Sequence, residues 1–330
     1  MDQPLLRIED VSVHFPVRKG LLQREVAKVR AVEKVTLSLE KGEAFGLVGE
    51  SGCGKTTLAR TVLRLVDPTD GTIWFDGQNV SDLKGAALFP YRERVAAIFQ
   101  DPFSSLNPRQ KAGKIIAEVL KVHKFGQDIR ARVEELLGLC GLPPRFADLY
   151  PHQMSGGQRQ RVGIARALAL EPELIVCDEA VSALDVSIQA QIINLLEELR
   201  EKLNLTYLFI GHDLSVVRHL CDRVAVMYLG RVMETAPSDA LFADPRHPYT
   251  RALIDAAPDP DPLTEAAREH SSLGGEIPSP LDPPSGCVFH TRCPIAMDRC
   301  RKEVPALESV SNAHKAACFA TNNTKGESDD

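Results

Sequence analysis

The stretch that decides the fold is Gly49-Glu50-Ser51-Gly52-Cys53-Gly54-Lys55-Thr56, which fits the pattern G-x-x-x-x-G-K-[ST] at every fixed position. The apolar run Ala44–Val48 leads into it as a predicted strand, and residues 55–66 follow as a predicted helix. Glycines allow backbone N–H groups to converge on phosphate oxygens, and the helix N-terminus faces the same anion. Lys55 supplies a positive charge for the phosphates, and Thr56 supplies a hydroxyl for Mg²⁺. The stretch therefore predicts a loop that binds a nucleoside triphosphate.

The chain on both sides of this loop alternates short β-branched runs with helical segments, from about residue 5 to residue 235. Compact apolar runs of this kind are typical of parallel strands that are covered on both faces. The predicted strands span residues 5–15, 32–39, 44–48, 72–75, 95–99, 174–177, 205–210 and 224–228, with another after the turn at Leu229-Gly230. The predicted helices span residues 55–66, 130–137, 156–170 and 186–203. This order predicts an α/β domain with a mainly parallel sheet.

Two acids stand at the end of one predicted strand, in Leu174-Ile175-Val176-Cys177-Asp178-Glu179. A parallel strand delivers the residue at its carboxyl end to the crevice where ligands bind. We expect Asp178 to hold Mg²⁺, directly or through water, and Glu179 to polarise the water that attacks the γ-phosphate. Alone, such a pair is typical of a solvated strand end. Together with the phosphate-binding loop it predicts a nucleoside triphosphatase.

The composition of the 330 residues limits the classes of protein that need to be considered. Apolar residues make up 44% and charged residues 25%, which excludes disorder throughout and predicts a main domain with an appendage. The formal net charge of −6 does not suit a protein that holds nucleic acid by its phosphates. No apolar run approaches the roughly 18 residues of a membrane span, and the acidic start is unlike a signal peptide. We expect a soluble, intracellular chain unless a partner recruits it.

The sequence Met154-Ser155-Gly156-Gly157-Gln158 resembles the LSGGQ signature of ATP-binding-cassette (ABC) proteins, with Met in place of the usual Leu. Ser155 and the two glycines open a predicted helix, so they form a second N-terminal anion site. One chain has no use for two γ-phosphate sites, but two chains arranged head to tail do. The resemblance implies an ATP sandwich in which the phosphate loop of one subunit faces the signature of the other.

Other motifs of that family follow in the family order. Gln100 resembles the Q-loop glutamine, His212 the switch histidine, and Ser182-Ala183-Leu184-Asp185 the D-loop that crosses the dimer interface. Phe15 resembles the aromatic residue that stacks on adenine, with a place in the core as the alternative. The resemblance implies catalytic roles for Glu179, His212 and Gln100, and Mg²⁺ contacts for Thr56, Gln100 and Asp178. It implies ATP contacts for Phe15, Gly49, Ser51, Gly52, Cys53, Gly54, Lys55, Thr56, Thr57, Gln100, Ser155, Gly156, Gly157, Gln158, Asp178 and Asp185.

Three stretches in the C-terminal third resemble the ATPase subunits of oligopeptide/dipeptide importers. They are His247-Pro248-Tyr249-Thr250-Arg251-Ala252-Leu253, Gly275-Glu276-Ile277-Pro278-Ser279-Pro280 and Gly286-Cys287-Val288-Phe289-His290-Thr291-Arg292-Cys293-Pro294. The segment Asp101-Pro102-Phe103-Ser104-Ser105-Leu106-Asn107-Pro108 is similar to that subfamily too. The resemblance implies an α/β P-loop ABC cassette over residues 5–255, with a RecA-like parallel core, an antiparallel β part and a helical subdomain at about 101–170. A small irregular extension with four cysteines is expected at 256–320, before a flexible tail at 321–330.

The same resemblance implies partners and a location. We expect two transmembrane permease subunits, a second and similar ABC ATPase in a heterodimer, and an extracytoplasmic solute-binding protein that acts indirectly, with no nucleic acid. The chain would lie peripherally on the cytoplasmic face of the inner membrane and drive the import of dipeptides or oligopeptides. Nickel, glutathione or an opine are the alternative cargoes. The alternative classes are an exporter cassette, a nucleotide-sensing regulator and a soluble ABC ATPase that acts on DNA or ribosomes.

The cysteines raise two separate questions. Cys53 lies near a helix N-terminus and Lys55, so we expect its thiol pKa to be lowered, and we expect alkylation to block ATP binding and ATP to protect the thiol. Four others crowd the C-terminal region without the C-x₂₋₄-C pairs of zinc sites, and these are Cys287, Cys293, Cys300 and Cys318. Thiolates at this looser spacing suit a [4Fe–4S] cluster, which the resemblance also implies. Zinc, and reduced or disulfide-paired structural cysteines, are the alternatives.

Two further segments stand out by composition. Residues 18–30 carry five basic side chains against one acid, which indicates a solvated loop or hairpin, with a surface for an acidic partner or lipid headgroups as the alternative. From residue 256 the chain becomes rich in proline, which predicts a linker or extended arm with a short helix at 266–272.

Overall fold

The computed structural model describes residues 3–20, 24–100, 105–256, 275–311 and 313–322. The strands there are β1 (Leu6–Lys19), β2 (Arg24–Leu39), β3 (Ala44–Val48), β4 (Asp70–Phe75), β5 (Gln78–Asn79), β6 (Val95–Ile98), β7 (Leu174–Asp178), β8 (Thr206–Ile210), β9 (Arg223–Tyr228), β10 (Arg231–Pro237), β11 (Glu308–Ser311) and β12 (His314–Ala316). The helices there are α1 (Lys55–Val62), α2 (Phe89–Arg94), α3 (Ala112–Val122), α4 (Ile129–Leu139), α5 (Gly156–Ala167), α6 (Val186–Leu203), α7 (Leu214–Leu220), α8 (Ser238–Ala243), α9 (Pro248–Asp255), α10 (Asp298–Lys302) and α11 (Phe319–Asn322). The helix predicted at 266–272, residues 101–104 and most of the predicted linker and tail lie outside these ranges.

Eight strands form the main sheet, in the order β11-β12-β10-β9-β3-β8-β7-β6. The strands from β9 to β6 pair in parallel, while β10, β12 and β11 continue the sheet with antiparallel pairing. Side chains alternate across it, because Leu174 and Val176 of β7 pack in one core while Ile175 and Cys177 pack in the other. Both faces are thus covered, which explains the continuous apolar runs and confirms the predicted, mainly parallel sheet.

The second sheet has four antiparallel strands in the order β2-β1-β4-β5. Its strands β1 and β2 remain paired as far as Lys19 and Arg24, so the described residues of the basic segment at 18–30 lie in or beside a long antiparallel strand pair. Ile8 of this sheet shares a core with Leu58 of α1 and with Leu47 of β3. Helix α1 therefore packs against both sheets, and this packing fixes the direction of its N-terminus.

Helices α3, α4 and α5 pack on one another within the segment predicted as a helical subdomain. Helix α3 was not predicted; it buries Ile115, Ile116 and Leu120 while its other face remains exposed. The end of α5 lies at Ala167, three residues before the predicted end at residue 170. The division of the chain into a cassette, a helical subdomain and an extension stays a prediction.

The C-terminal extension is less irregular than expected, because it adds two strands to the main sheet. Strand β12 pairs antiparallel with β10, and the backbone N–H of Ala317 donates to the carbonyl oxygen of Met233 at 2.8 Å. The His314 ring reaches the buried Glu234 carboxylate at 2.6 Å. Strands of three and four residues give too short a pattern to recognise in the sequence. Within the described ranges, no helix is both long and apolar enough to cross a membrane.

Candidate nucleotide-binding site

The loop after β3 depends on two glycines for its shape. Gly49 and Gly54 have φ values of 148° and 109°, which side chains other than glycine rarely adopt. A Cβ atom at Gly49 would lie 2.1 Å from the carbonyl oxygen of Met227, and one at Gly54 would lie 2.1 Å from that of Ala31. The loop is therefore pressed against β9 and against β2, and this close approach directs it into α1.

Lys55 lies inside the curve of this loop and is 6% exposed. Its ammonium donates to the carbonyl oxygens of Gly49 at 2.6 Å and Glu50 at 3.0 Å. A positive charge is thus held at the concave side of a glycine-rich loop that opens a helix, which is the arrangement that binds phosphate groups. Of the other predicted loop contacts, Ser51 and Gly52 are exposed and Thr57 is partly buried.

The predicted lowering of the Cys53 thiol pKa is wrong. Cys53 is 4% exposed, and its burial raises the thiol pKa even though Lys55 Nζ lies 3.6 Å from Sγ and acts in the opposite direction. Desolvation of the thiolate therefore outweighs the attraction of the nearby ammonium. The sequence shows the neighbouring charge but not the depth of burial.

Thr56 and Asp178 come together across 122 positions of the chain. The Thr56 hydroxyl donates to Asp178 Oδ1 at 3.2 Å, at the carboxyl end of β7. Burial raises the pKa of the Asp178 carboxyl, and the Thr56 hydrogen bond opposes that shift. A hydroxyl and a carboxylate side by side are hard oxygen donors, so this pair fits the ligand preference of Mg²⁺.

The side chains of the three predicted catalytic residues, Glu179, Gln100 and His212, lie next to one another. The Oε2 atom of Glu179 accepts from Gln100 Nε2 at 2.7 Å and lies 3.6 Å from His212 Nδ1. Glu179 has a φ of 51°, and its backbone N–H donates to the carbonyl oxygen of Ile210 at 2.9 Å. A strained backbone held by a neighbouring strand is typical of functional positions, and here it directs the carboxylate toward Gln100 and His212.

Helix α5 begins at the predicted signature. Ser155 is its N-cap: Ser155 Oγ accepts from the Gln158 backbone N–H at 3.4 Å, and Gln158 Oε1 accepts from the Ser155 N–H at 3.0 Å. A Cβ at Gly157 would lie 2.6 Å from Ile188 Cγ2, so glycine allows α5 to approach α6 closely. In the described ranges, the hydrogen bonds of Ser155 and Gln158 stay within this cap and do not reach the phosphate loop.

Comparisons with known proteins now identify the family. A family described as ABC transporter matches residues 32–182, and the C-terminal region of the oligopeptide/dipeptide transporter family matches residues 233–300. The chain is 53% identical to the oligopeptide transport ATP-binding protein AppF of Bacillus subtilis over 96% of its own length and 97% of that protein. It is 50% identical to a putative peptide import ATP-binding protein of Brucella ovis, over 97% of this chain and 99% of that protein.

The chain belongs to the ABC ATPases of peptide transporters. The post-hydrolysis dimer of the cassette MJ0796 with bound ADP and Pi is 30% identical, with a TM-score of 0.63 over 71% of this chain and 98% of that one. The cbiO1 protein of Clostridium perfringens, part of the transporter complex cbiONQ, gives a TM-score of 0.64 at 27% identity over 74% of this chain and 92% of that one. The predicted family and cassette fold are confirmed.

Two predicted contacts of this ABC ATPase lie at its surface. Phe15, on the long antiparallel strand pair, is 41% exposed, so the alternative of a core position is wrong. Asp185 is the N-cap of α6 and is followed by Val186, an apolar side chain that is 81% exposed. The Ser182 hydroxyl donates to the backbone carbonyl oxygen of Glu179 at 3.0 Å, which ties the D-loop to the main chain at Glu179.

The four C-terminal cysteines share one neighbourhood. The backbone N–H of Cys287 donates to the carbonyl oxygen of Cys300 at 2.8 Å. Burial raises the pKa of Cys287 to about 11, and the nearby thiols of Cys300, Cys293 and Cys318 add to this shift. Yet within the described part of the chain no three His, Cys, Asp or Glu side chains are arranged to hold a metal ion. The geometry gives no support to the [4Fe–4S] cluster, and all four cysteines are free thiols.

Two residues that touch the phosphate loop were not predicted from the sequence, and they are Tyr249 on α9 and Arg292 in the C-terminal extension. The Tyr249 hydroxyl accepts from the Glu50 backbone N–H at 2.8 Å, and Arg292 donates to the Glu50 carboxylate. Both residues lie in stretches that resembled importer ATPases, but the resemblance carried no role for them. The available signal in the sequence was Glu50 itself, because an acid in a loop that binds anions calls for a positively charged partner.

Proposed function

We propose that this chain hydrolyses ATP and thereby drives permease subunits that import dipeptides or oligopeptides. The arrangement around Glu179 carries the proposal, because Gln100 and His212 converge on its carboxylate, on the strand whose last residue, Asp178, meets Thr56. This combination has the parts of a triphosphatase site: a phosphate cradle, a pair of oxygen donors for Mg²⁺ and a carboxylate to position water. Relatives named for oligopeptide transport and peptide import support the cargo class.

The loop residues Gly49 to Thr57 would hold the phosphates of ATP, with Lys55 Nζ turned from the loop carbonyls that it now contacts toward the β- and γ-phosphates. Thr56, Asp178 and the carbonyl end of Gln100 would hold Mg²⁺, which neutralises phosphate charge when bound. Glu179 Oε2 would accept a hydrogen bond from the attacking water, while Gln100 and His212 fix the direction of the carboxylate. Phe15 would stack on the adenine ring from the long antiparallel strand pair.

A complete site is proposed to need a second cassette. Ser155, Gly156, Gly157 and Gln158 open α5 as a capped helix N-terminus, which would face the γ-phosphate bound by the partner chain. The exposed Val186 beside Asp185 supports an interface at the D-loop. A similar but different ABC ATPase is the proposed partner, and head-to-tail closure would form two composite sites.

A cleft beside Gln100 is the proposed contact with the permeases. Its volume is about 710 Å³, and its lining includes Phe99, Gln100 and His123 as well as Thr56 and Asp178. One wall therefore carries the proposed Mg²⁺ ligands and another carries an exposed aromatic ring, since Phe99 is 38% exposed. A cytoplasmic loop of a permease seated there would touch the same glutamine that contacts Glu179. This contact would keep the chain on the cytoplasmic face of the inner membrane, and a solute-binding protein would act only through the permeases.

The test is affinity purification of the tagged chain from membranes in mild detergent, followed by mass spectrometry. Two very hydrophobic permeases and a second ABC ATPase are expected, and a co-purifying solute-binding protein would distinguish peptide from nickel, glutathione or opine as cargo. Ribosomes, DNA or no partner at all would overturn the transport proposal and leave the ATPase assignment standing.

We also propose the finer assignment of an iron–sulfur cluster to Cys287, Cys293, Cys300 and Cys318. Its support is the proximity of four free thiols in one short extension, rather than any arrangement of ligands. Anaerobic purification is expected to give about four iron atoms and four sulfides per chain, as a [4Fe–4S] cluster requires. Fewer than about one iron per chain would overturn this assignment without touching the ATPase.

A further inference from the structure

We propose that helix α9 and the C-terminal extension are working parts of the nucleotide site, with Tyr249 of α9 and Arg292 of the extension as positioning residues that hold the phosphate loop through Glu50. This inference rests on the proposed function, since it takes the loop at 49–56 as the ATP site. It goes further by assigning a role in ATP affinity to two residues to which no motif of the site gives a role.

Two independent contacts hold Glu50, one on its main chain and one on its side chain. The Glu50 backbone N–H donates to the Tyr249 hydroxyl at 2.8 Å. The Arg292 guanidinium donates from Nη1 to Glu50 Oε2 at 2.7 Å and from Nη2 to Oε1 at 3.0 Å. The bidentate geometry fixes the direction of the carboxylate as well as its position. A loop residue held at both its backbone and its side chain cannot rotate without breaking these partly buried hydrogen bonds.

The groups that hold Glu50 are themselves rigidly supported. The side chain of Arg292 is 4% exposed and Tyr249 is fully buried. The rings of Tyr228, Tyr249 and Phe289 pack with centroids 4.7 to 5.3 Å apart, and Arg292 Nη1 also donates to the Tyr228 hydroxyl at 3.3 Å. This aromatic platform combines strand β9, helix α9 and the extension. It lies beside the Gly49 turn, since Gly49 packs against Met227, the neighbour of Tyr228.

The Arg292–Glu50 pair also has an electrostatic effect on ATP binding. Glu50 places a carboxylate within a loop whose ligand is a polyanion, and like charges at short range disfavour binding. The Arg292 guanidinium neutralises that carboxylate from the side of the extension. The Glu50 side chain is 21% exposed, so removal of Arg292 leaves a partly desolvated carboxylate without compensation. Arg292 should therefore act on ATP affinity rather than on the chemical step, which uses Glu179, Gln100 and His212.

The first test is a mutant cycle on the full chain with Arg292→Gln, Glu50→Gln and the double variant. We expect Arg292→Gln to raise the KM for ATP by about tenfold, with kcat changed by less than about twofold. We expect Glu50→Gln to raise KM no further in the Arg292→Gln background, because both side chains act through one ion pair, and loss of the uncompensated carboxylate should recover part of the lost affinity. An unchanged KM in Arg292→Gln, or single-variant effects on KM that multiply in the double variant, would overturn the proposal.

Further variants keep the test informative if Arg292→Gln folds poorly. Tyr249→Phe keeps the ring but leaves the Glu50 N–H without this acceptor, so it should raise KM by about fivefold. An unchanged KM in that variant would also overturn the proposal. Arg299→Gln removes a matched Arg–Glu pair of the same extension, with Glu303, whose side chains are more than half exposed, and it should leave KM unchanged.

The melting temperature without nucleotide separates a positioning role from a merely structural one. In the double variant we expect KM to recover in part while the melting temperature stays at the value of Arg292→Gln. Lys55→Ala separates this inference from the proposed function, because it should abolish binding of a fluorescent ATP analogue. If Lys55→Ala still bound the analogue, the proposed nucleotide site itself would be wrong. Loss of binding in Lys55→Ala with no effect at Arg292 or Tyr249 would overturn this inference alone.

Discussion

Replacement of His247 by Asn should remove an acid-sensitive contribution to the stability of the protein. His247 is the N-cap of α9. Its ring atom Nδ1 accepts from the Tyr249 backbone N–H at 3.0 Å, and its backbone N–H donates to Glu234 Oε2 at 2.8 Å. The ring is 2% exposed and packs against Phe289. A protonated ring cannot accept the Tyr249 N–H, whereas Asn keeps an acceptor at the cap and does not titrate.

The magnitude follows from the pKa of the buried ring. Burial lowers the pKa of His247 from 6.5 to about 4, against the opposing effect of Glu234. The unfolded chain therefore takes up a proton that the folded ring refuses, and stability is lost as the pH falls from 6.5 to about 4. With about 1.4 kcal/mol for each pKa unit, the full loss is about 3 kcal/mol, of which about 2 kcal/mol falls between pH 7 and pH 5.

The neighbouring carboxylate titrates in a lower range. Burial alone would raise the pKa of Glu234, but hydrogen bonds from His314 and from the backbone N–H groups of Arg246 and His247 outweigh burial and hold that pKa below 4.5. The stability that Glu234 contributes is present above pH 4.5 and is lost as the pH falls through its folded pKa. Glu234 therefore contributes little to the change in stability between pH 7 and pH 5.

Urea unfolding at pH 7 and pH 5 measures the difference. The wild-type protein should lose about 2 kcal/mol more than His247→Asn between the two pH values. His219→Asn is the matched control, because the His219 side chain is 61% exposed and its replacement should leave the wild-type pH dependence intact. Parallel pH profiles for the wild type and His247→Asn would show that protonation of His247 does not cause this loss of stability.

Three further predictions address the nucleotide site. Glu179→Gln should bind ATP, hydrolyse it about 10²- to 10⁴-fold more slowly and accumulate as an ATP-bound dimer in light scattering, whereas near-normal turnover would exclude the role of this carboxylate. Gly49→Ala should abolish binding of a fluorescent ATP analogue, since its Cβ would lie 2.1 Å from a backbone oxygen, while Gly138→Ala, with nothing within 4 Å, should bind normally. In protein stripped of iron by a chelator, iodoacetamide at neutral pH should modify Cys293 before the more deeply buried Cys53 in peptide mapping, and the reverse order would contradict the burial argument.

The sequence was sufficient for the elements whose patterns are local. The predicted strand Ala44–Val48 and the helix Val186–Leu203 agree with the structure at both ends, because apolar periodicity and flanking turns define them. Helix Ala112–Val122 was missed because no signature motif marked it. Strands β11 and β12 form only because β10 offers an edge, and such pairing depends on the tertiary fold rather than on nearby residues.

In the nucleotide site, too, the local features could be predicted from the sequence and the long-range contacts could not. The motifs around Lys55 and Glu179 could be recognised because the chemistry requires fixed residues at short spacing. The contacts of Tyr249 and Arg292 with Glu50 could not, because they join positions about 200 residues or more apart. The error at Cys53 has a related cause, since the sequence gives the charge of a neighbour but not the loss of water around the thiol.

The most direct test of the central claim is ATP-driven peptide uptake into proteoliposomes that contain this chain, its co-purified permeases and the second cassette. With a solute-binding protein and labelled peptide on the outer side and ATP within, we expect the wild type to take up the peptide and Glu179→Gln to take up none beyond background. Uptake that continues undiminished in Glu179→Gln, or a wild-type complex that hydrolyses ATP without moving peptide, would contradict the central claim.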